Sequence, residues 1–284
     1  MARETFRKIT MALKSKVGFI GFGRMGSALV HGALSSNVLR VDQITAFDVD
    51  LVARQKIKKQ RLTLAKSAVE VVQSSDLIFL CVKPQQMGDL VKSLGAALKK
   101  KGEKKCFASI AAGISLKDLE KSLGVGVPVL RVMPNTPALI GAGMSVFCLG
   151  RSATEKHKAD VETILKSVGE AALVSEDKMD AVTAVSGSGP AYGFYLAEAM
   201  IEAGVELGLS EELAERLVRQ TLYGAGLMLK KSDETAKNLR LHVTSPGGTT
   251  AAAVAEFENK GFKTIVSAAL YSAAERSKEL SQGN

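Results

Sequence analysis

From Val17 to about Val174, short apolar runs alternate with segments long enough to form helices. Strands separated in this way predict an α/β domain with a doubly wound, mainly parallel sheet. The predicted strands are Val17 to Ile20, Gln43 to Phe47, Leu77 to Cys81, Cys106 to Ile110, Val127 to Val132 and Ser145 to Leu149.

Beyond about Glu176 the apolar residues follow a helical period, and only short breaks separate the periodic segments. The predicted helices there are Met179 to Val185, Ala191 to Leu207, Glu211 to Lys230 and Ala251 to Ser281. We therefore expect a basic leader (1–15), an α/β domain (16–175) and an all-helical C-terminal domain (176–284). The helical part is too thin to bury all its apolar faces, which favours a homo-oligomer, at least a dimer.

A glycine-rich turn follows the first predicted strand and precedes a plausible helix, Ser27 to Leu34. Its residues are Gly21-Phe22-Gly23-Arg24-Met25-Gly26. Between a strand and a helix, G-x-G-x-x-G is typical of a Rossmann dinucleotide site. The first Gly allows the bend, the second admits the pyrophosphate, and the third lets helix and strand pack. A glycine turn without a ligand is the alternative, and the residues after the next strand argue against it.

Asp48, just after the second predicted strand, bears on which dinucleotide binds. A carboxylate there accepts hydrogen bonds from ribose hydroxyls and repels a ribose phosphate. NAD(H) is therefore favoured, while the basic residues between Arg54 and Lys59 leave NADP(H) open. The alternative for Asp48 and Asp50 is to cap the helix predicted over Leu51 to Lys59.

Three more loops follow predicted strands, at the sheet edge where ligands bind in such folds. They are Cys81-Val82-Lys83-Pro84, Ser109-Ile110-Ala111-Ala112-Gly113 and Arg131-Val132-Met133-Pro134-Asn135-Thr136-Pro137. Ordinary turn chemistry explains any one of them. The irregular, small or polar composition of all three favours a cofactor site.

Two small-residue loops precede predicted helices in the C-terminal part, and the first is Ser245-Pro246-Gly247-Gly248-Thr249-Thr250. The second, Ser186 to Tyr192, contains a Pro suited to a first helical turn. Helix N-termini present free N–H groups to anions. Each loop has a plain helix cap as its alternative, but a dinucleotide site elsewhere in the chain favours an anionic substrate.

Composition narrows the classes of partner. The net charge is +9, but the basic residues are dispersed and the chain has no Trp, which argues against nucleic-acid binding. The charge suits anionic small molecules. Cys81, Cys106 and Cys148 lie far apart, as do the three His, so we expect no metal site and a reducing, cytoplasmic compartment. No apolar run is long enough to cross a bilayer.

Six motifs together resemble pyrroline-5-carboxylate reductases, from Val17 nearly to the C-terminus. They are V-G-F-I-G-F-G-R-M-G-S-A, C-V-K-P-Q, S-I-A-A-G, R-V-M-P-N-T-P-A-L, A-V-S-G-S-G-P-A-Y and S-P-G-G-T-T. The resemblance implies NAD(P)H-dependent reduction of 1-pyrroline-5-carboxylate to L-proline, the last step of proline biosynthesis. It also implies a Rossmann domain, a helical domain that forms dimers and, in many members, a ring of five dimers.

The resemblance also assigns residues. Substrate contacts fall on Ser245 to Thr250, and cofactor contacts fall on Gly21 to Gly26, Asp48, Cys81 to Pro84, Ala111-Ala112-Gly113 and Pro134-Asn135. The chain departs from the family at Asp48, where many members have Ser, Thr or Asn suited to NADP(H). It departs again at Thr235 to Leu241, where members often carry H-P-G, so the anchoring of the substrate loop differs.

A protonated cyclic imine is already electrophilic, so catalysis should depend mostly on positioning. Our hypothesis is that the N–H groups of Gly247, Gly248 and Thr249 hold the substrate carboxylate, while the Thr250 hydroxyl bonds the ring nitrogen and is the catalytic group. A β-hydroxyacid dehydrogenase-like enzyme is the alternative, but its catalytic Lys is missing from Ala191 to Leu207. A non-enzymatic dinucleotide sensor is a second alternative, which the intact Ser245 to Thr250 loop disfavours.

Overall fold

The structure is a computed structural model that describes residues 12–98 and 105–281. Most of the predicted basic leader lies outside these residues. The described chain divides into two compact units. The first comprises the residues up to Gly187 together with those from Ala273 onward, and the second is Ser188–Ser272. The domain boundary near residue 175 stays a prediction.

One eight-stranded sheet forms the first unit, in the order β3-β2-β1-β4-β5-β6-β7-β8. Its strands are β1 (Val17–Ile20), β2 (Ile44–Phe47), β3 (Thr63–Leu64), β4 (Leu77–Leu80), β5 (Cys106–Ser109), β6 (Val129–Met133), β7 (Gly143–Leu149) and β8 (Gly169–Leu173). Only the pair of β6 with β7 is antiparallel. The predicted doubly wound, mainly parallel sheet is confirmed. The strand order changes direction between β1 and β4, where such sheets bind ligands.

Helices and short turns complete the first unit. The helices are α1 (Arg24–Ser35), α2 (Leu51–Lys59), α3 (Ala68–Ser74), α4 (Pro84–Leu98), α5 (Leu116–Leu123), α6 (Glu155–Lys166) and α7 (Met179–Val182). A π-helical turn, Thr183–Gly187, follows α7. Side chains of Asp50, Ser67, Ser115 and Thr154 accept backbone N–H bonds at the starts of α2, α3, α5 and α6, which fixes where these helices begin.

Two apolar clusters bury the two faces of the sheet. Phe19 stacks on Phe79 with ring centroids 5.2 Å apart in one cluster, while Ile20 and Leu80, the next residue along each strand, belong to the other. Successive strand residues point to opposite faces, so both faces of β1 and β4 are buried. The burial holds the carboxyl ends of these strands rigidly beside each other.

The second unit is helical. It holds α8 (Gly189–Glu206), α9 (Glu211–Lys231), α10 (Ala236–His242), α11 (Thr249–Asn259) and the first part of α12 (Phe262–Ser281). The predicted continuous helix from Ala251 to Ser281 is wrong, because the chain turns at Gly261, whose φ is +70°. Within this unit only Ala214 and Val218 are buried apolar residues.

Candidate functional site

The three motif glycines occupy three different environments. Gly21 has φ +96°, and a Cβ there would lie 2.6 Å from the Cys81 carbonyl carbon and oxygen. A Cβ at Gly26 would lie 2.5 Å from the Gly21 oxygen, whereas one at Gly23 would have no neighbour within 4 Å. The first and third glycines therefore serve the bend and the packing, and the second leaves open space for a ligand.

The N-terminus of α1 borders this open space. Gly23 is its N-cap and no side chain caps it, while Ser27 N–H donates to Gly23 O at 3.0 Å to begin the helix. The preceding N–H groups lie at the positive end of the helix dipole, a suitable place for a pyrophosphate.

Asp48 fastens the glycine turn to the end of β2. Its Oδ2 accepts from Phe22 N–H at 2.6 Å, and its Oδ1 accepts from Asp50 N–H at 2.9 Å. The cap of α2 is Asp50, which accepts from Ala53 N–H at 2.8 Å, so of the two predicted capping candidates only Asp50 accepts at the start of α2. Each Asp48 oxygen keeps a further lone pair that can accept from a ribose hydroxyl. Sequence reasoning missed the Phe22 bond, because it joins residues 26 apart.

A basic group lies directly behind Asp48. Arg54 Nε donates to Asp48 O at 2.6 Å, and its guanidinium carbon lies 5.2 Å from the centre of the Phe47 ring. Stacking and hydrogen bonding fix this guanidinium in place. The site therefore combines a carboxylate, which suits NAD(H), with a positioned cation beside it, which suits a ribose phosphate.

A cavity of about 600 Å³ lies over the carboxyl ends of β1, β2 and β4. It joins the predicted residues Gly21, Phe22, Gly23, Arg24, Asp48, Cys81, Val82 and Lys83. Lys56, one of the basic residues that left NADP(H) open, also lines it, as does Gln86, which sequence reasoning had not assigned to the cofactor. The predicted residues outside its lining are Met25, Gly26, Pro84, Ala111, Ala112, Gly113, Pro134 and Asn135. Burial raises the pKa of the Cys81 thiol, so this side chain is neutral and contributes shape rather than charge.

The end of α12 packs on the loop after β5. Gly113 has φ +71°, and a Cβ there would lie 3.0 Å from Leu280 Cβ, near the end of α12. Ser277, also on α12, donates through Oγ to Asp180 Oδ1 at 2.7 Å. The last turns of the described chain thus pack on the Ala111-Ala112-Gly113 loop. No local sequence pattern predicts this contact.

The predicted substrate loop, in the second unit, has a defined turn. Gly247 has φ +72°, Gly248 N–H donates to Ser245 O at 3.0 Å, and a Cβ at Gly248 would lie 2.5 Å from Ser245 Oγ. The Gly248 N–H therefore already donates within the turn, which argues against its predicted role as a donor to the substrate carboxylate. Gly248 is also the N-cap of α11, which has no side-chain cap, so the N–H groups of Thr249 and Thr250 are left without a partner within the helix.

Thr250 lies half-buried in the first turn of α11. Within the part of the chain that the structure describes, its hydroxyl makes no hydrogen bond, so it is free to bond a ligand. The segment ahead of the loop forms α10, which Thr235 caps by accepting from Asn238 N–H at 3.2 Å. The segment that departs from the family's pattern thus forms a helix that leads into the loop.

Two other kinds of site are absent from residues 12–98 and 105–281. No group of three or more His, Cys, Asp or Glu there is arranged to hold a metal ion. No helix in the same ranges is long and apolar enough to cross a membrane.

Comparison with known proteins shows the family to which the chain is related. A family model for pyrroline-5-carboxylate reductase dimerisation matches residues 176–280, and one for coenzyme F420-dependent NADP oxidoreductases matches residues 16–113. The chain is 42% identical to the pyrroline-5-carboxylate reductase of Arabidopsis thaliana over 268 residues, which are 94% of this chain and 96% of that relative. The chain belongs to the pyrroline-5-carboxylate reductase family. The enzyme of that name from Pseudomonas aeruginosa is also 42% identical, with 94% and 97% covered.

Solved structures of the pyrroline-5-carboxylate reductase family agree with the fold. The Coxiella burnetii enzyme has a TM-score of 0.89 at 33% identity, and the match covers 95% of this chain and 99% of that one. The Plasmodium falciparum enzyme, solved with NADP bound, has a TM-score of 0.83 at 34% identity with the same coverage. The Rossmann domain followed by a helical region is confirmed, as is the resemblance drawn from the six motifs.

Proposed function

We propose that this protein reduces the C=N bond of 1-pyrroline-5-carboxylate to give L-proline, the last step of proline biosynthesis, with NAD(P)H as the hydride donor. The observation that carries the proposal is the intact Ser245 to Thr250 loop at the uncapped start of α11, in a chain that also has a cavity lined by Gly21 and Gly23 of the glycine turn. A non-enzymatic dinucleotide sensor would need only the cavity and not the Ser245 to Thr250 loop.

The residues of the cavity fit a dinucleotide. The space beside Gly23 and the start of α1 suit the pyrophosphate, and Asp48 suits the adenosine ribose. Lys83 and Lys56 add positive charge around the phosphates. Bound NAD(P)H supplies the hydride, and the chain supplies binding and orientation. The loops at Ala111 to Gly113 and Pro134-Asn135, which follow β5 and β6, are proposed to lie nearer the nicotinamide.

For substrate binding, the proposed hydrogen-bond donors to the carboxylate are the backbone N–H groups of Gly247, Thr249 and Thr250. They hold the carboxylate at the positive end of α11. The Thr250 hydroxyl bonds the ring nitrogen and orients C5 for hydride transfer. Holding the imine in this geometry replaces the need for a strong acid.

NADH is the proposed preferred cofactor, because the carboxylate of Asp48 repels the phosphate of NADPH. Arg54 offsets part of this repulsion, so NADPH is proposed to work at a higher KM. The enzyme is proposed to act in the cytoplasm as a homo-oligomer, a dimer or a ring of five dimers. Three free cysteines agree with a reducing compartment.

The test is oxidation of NADH and of NADPH by the purified protein, each with pyrroline-5-carboxylate and with a 3-keto acid. Imine-dependent oxidation that favours NADH is expected. A preference for NADPH would keep the reaction and refute the role given to Asp48. Oxidation with the keto acid alone would replace the proposal with a β-hydroxyacid dehydrogenase.

A further inference from the structure

The side chain of Asn135 is engaged inside the protein. Its Nδ2 donates to Ser186 O at 3.2 Å and lies 3.5 Å from Ser186 Oγ, while its Oδ1 accepts from Met144 N–H at 2.9 Å. Asn135 also occupies the N-cap position of the 3₁₀ turn Thr136–Ile140, yet it makes no capping bond. The amide therefore joins the loop after β6 to the π-turn Thr183–Gly187 and to the start of β7.

The Ser186 carbonyl needs this donor for a reason visible in the sequence. In a helix its partner would be the N–H of residue 190, and Pro190 has none. The next N–H, that of Ala191, donates to Ser188 O at 2.9 Å. The Asn135 amide supplies the missing donor, and without it the carbonyl of this half-buried residue would lose its hydrogen bond.

The side chain of Met133, the last residue of β6, also reaches the π-turn. A Cβ at Gly187 would lie 2.3 Å from Met133 Cε. Single π-turns are frequent at functional sites, because they redirect the chain without ending the helix. The Asn135 amide therefore holds the loop after β6 against this turn, and the flexible end of the Met133 side chain packs beside it.

We propose that Asn135 is a positioning residue of the reductase. Its amide holds the Pro134-Asn135 backbone against the π-turn and so sets where that backbone supports the nicotinamide, while the side chain itself does not touch the cofactor. This inference rests on the proposed function. Loss of the bond lets the loop shift, and a misplacement of about 1 Å at a reacting centre lowers turnover by about 100-fold.

The experiment compares Asn135→Asp and Asn135→Ala with the wild-type protein, measuring kcat, the KM values for NADH and pyrroline-5-carboxylate, and thermal unfolding. Asp is isosteric and keeps the acceptor for Met144 N–H, but its ionised carboxylate faces the Ser186 carbonyl and cannot donate to it. Asn37→Asp is the matched control, because Asn37 is an exposed residue of the same unit. We expect kcat to fall by about 10- to 100-fold in both Asn135 variants, with small changes in KM and none in the control.

The pH dependence of kcat in Asn135→Asp distinguishes a positioning role from a general loss of stability. The Asn135 amide is bonded only to neutral groups, and a protonated carboxyl at this position can donate to Ser186 O again. The ratio of Asn135→Asp to wild-type kcat should therefore rise as the pH falls from 8 to 5.5, while the ratio for Asn135→Ala stays flat. Pro190→Ala restores a backbone N–H and should recover part of the activity lost in Asn135→Ala.

The outcomes separate the two proposals. A wild-type protein that reduces the imine, with variants of unchanged kcat, overturns the role of Asn135 alone. A loss confined to the KM for NADH also overturns it, since that result makes Asn135 a cofactor contact. A wild-type protein inactive on the imine overturns the proposed function and this inference with it.

Discussion

At the scale of single residues, the three motif glycines are not equivalent. A side chain at Gly21 or Gly26 meets backbone atoms at 2.5–2.6 Å, whereas one at Gly23 meets nothing within 4 Å. Gly21 and Gly26 therefore contribute to the stability of the fold, whereas Gly23 leaves space that the fold itself does not fill.

This difference predicts opposite behaviour for two identical substitutions. Gly21→Ala should lower the free energy of unfolding by about 2 kcal/mol or more, because Ala is strained at positive φ. Gly23→Ala should leave stability within about 0.5 kcal/mol and weaken NADH binding at least tenfold. Urea unfolding and a fluorescence titration with NADH measure the two effects. Equal loss of stability in both variants would contradict the assignment.

Thr250 is the residue on which the proposed chemistry depends most. Thr250→Ala removes the hydroxyl that bonds the ring nitrogen, so kcat should fall about 100-fold, with NADH affinity changed less than twofold. Thr250→Ser keeps the hydroxyl and serves as the matched control. It should retain most of the activity. Unchanged turnover in Thr250→Ala would remove the hydroxyl from the mechanism and leave the backbone N–H groups as the only substrate contacts of this turn.

At the scale of elements, the strands with continuous apolar runs are the ones that the sequence predicts. β3 has two residues and β8 is Gly-Glu-Ala-Ala-Leu, so neither shows a run of large apolar side chains. The break at Gly261 is hidden because helical periodicity continues on both sides of it. The π-turn Thr183–Gly187 after α7 is equally hidden, because the sequence there continues a helical pattern.

The buried thiol of β5 makes the stability of this strand depend on pH. Burial raises the pKa of Cys106 to about 12 from an ordinary value of 9.0. The folded state keeps the proton where the unfolded state releases it, so this contribution is fully present below pH 9 and is lost as the pH rises towards 12. At pH 10 it should have fallen by about 1 kcal/mol.

Urea unfolding at pH 7.5 and pH 10 measures this loss. Cys106→Ala cannot titrate here and is the control, since it carries all the other pH effects of the protein. The wild type should lose about 1 kcal/mol more than the variant over this range. Equal losses would show that the thiol releases its proton at the same pH in both states.

At the scale of the whole molecule, the candidate site was predictable where a motif follows a strand of the parallel sheet, because the carboxyl ends of such strands meet at one edge. The glycine turn, Asp48 and Cys81 to Lys83 line one cavity. Contacts that join distant segments were not predictable: Asp48 with Phe22, Asn135 with Ser186, and Leu280 with Gly113. Local sequence gives the residue types of such contacts, but only the packed sheet and helices decide which of them meet.

At the scale of the whole molecule, the exposed apolar residues of the helical unit indicate that the chain assembles with another copy. α8 is rich in apolar residues but has no buried residue, and Phe194 and Tyr195 on it are 68% and 74% exposed. A helix of this composition is normally buried on most sides, and the match to the reductase dimerisation model covers it. A second copy of the chain is therefore the expected partner.

Phe194→Glu should weaken this assembly, because a charge would replace an aromatic anchor at the interface, where such anchors contribute about 2–4 kcal/mol. Gln73→Glu, on the exposed side of α3, introduces the same side chain in the first unit and is the control. Light scattering after size-exclusion chromatography should show a smaller species at micromolar concentration for Phe194→Glu alone, with helical content retained in circular dichroism. An unchanged mass would move the interface away from this part of α8 and leave its exposed aromatic side chains without an explanation.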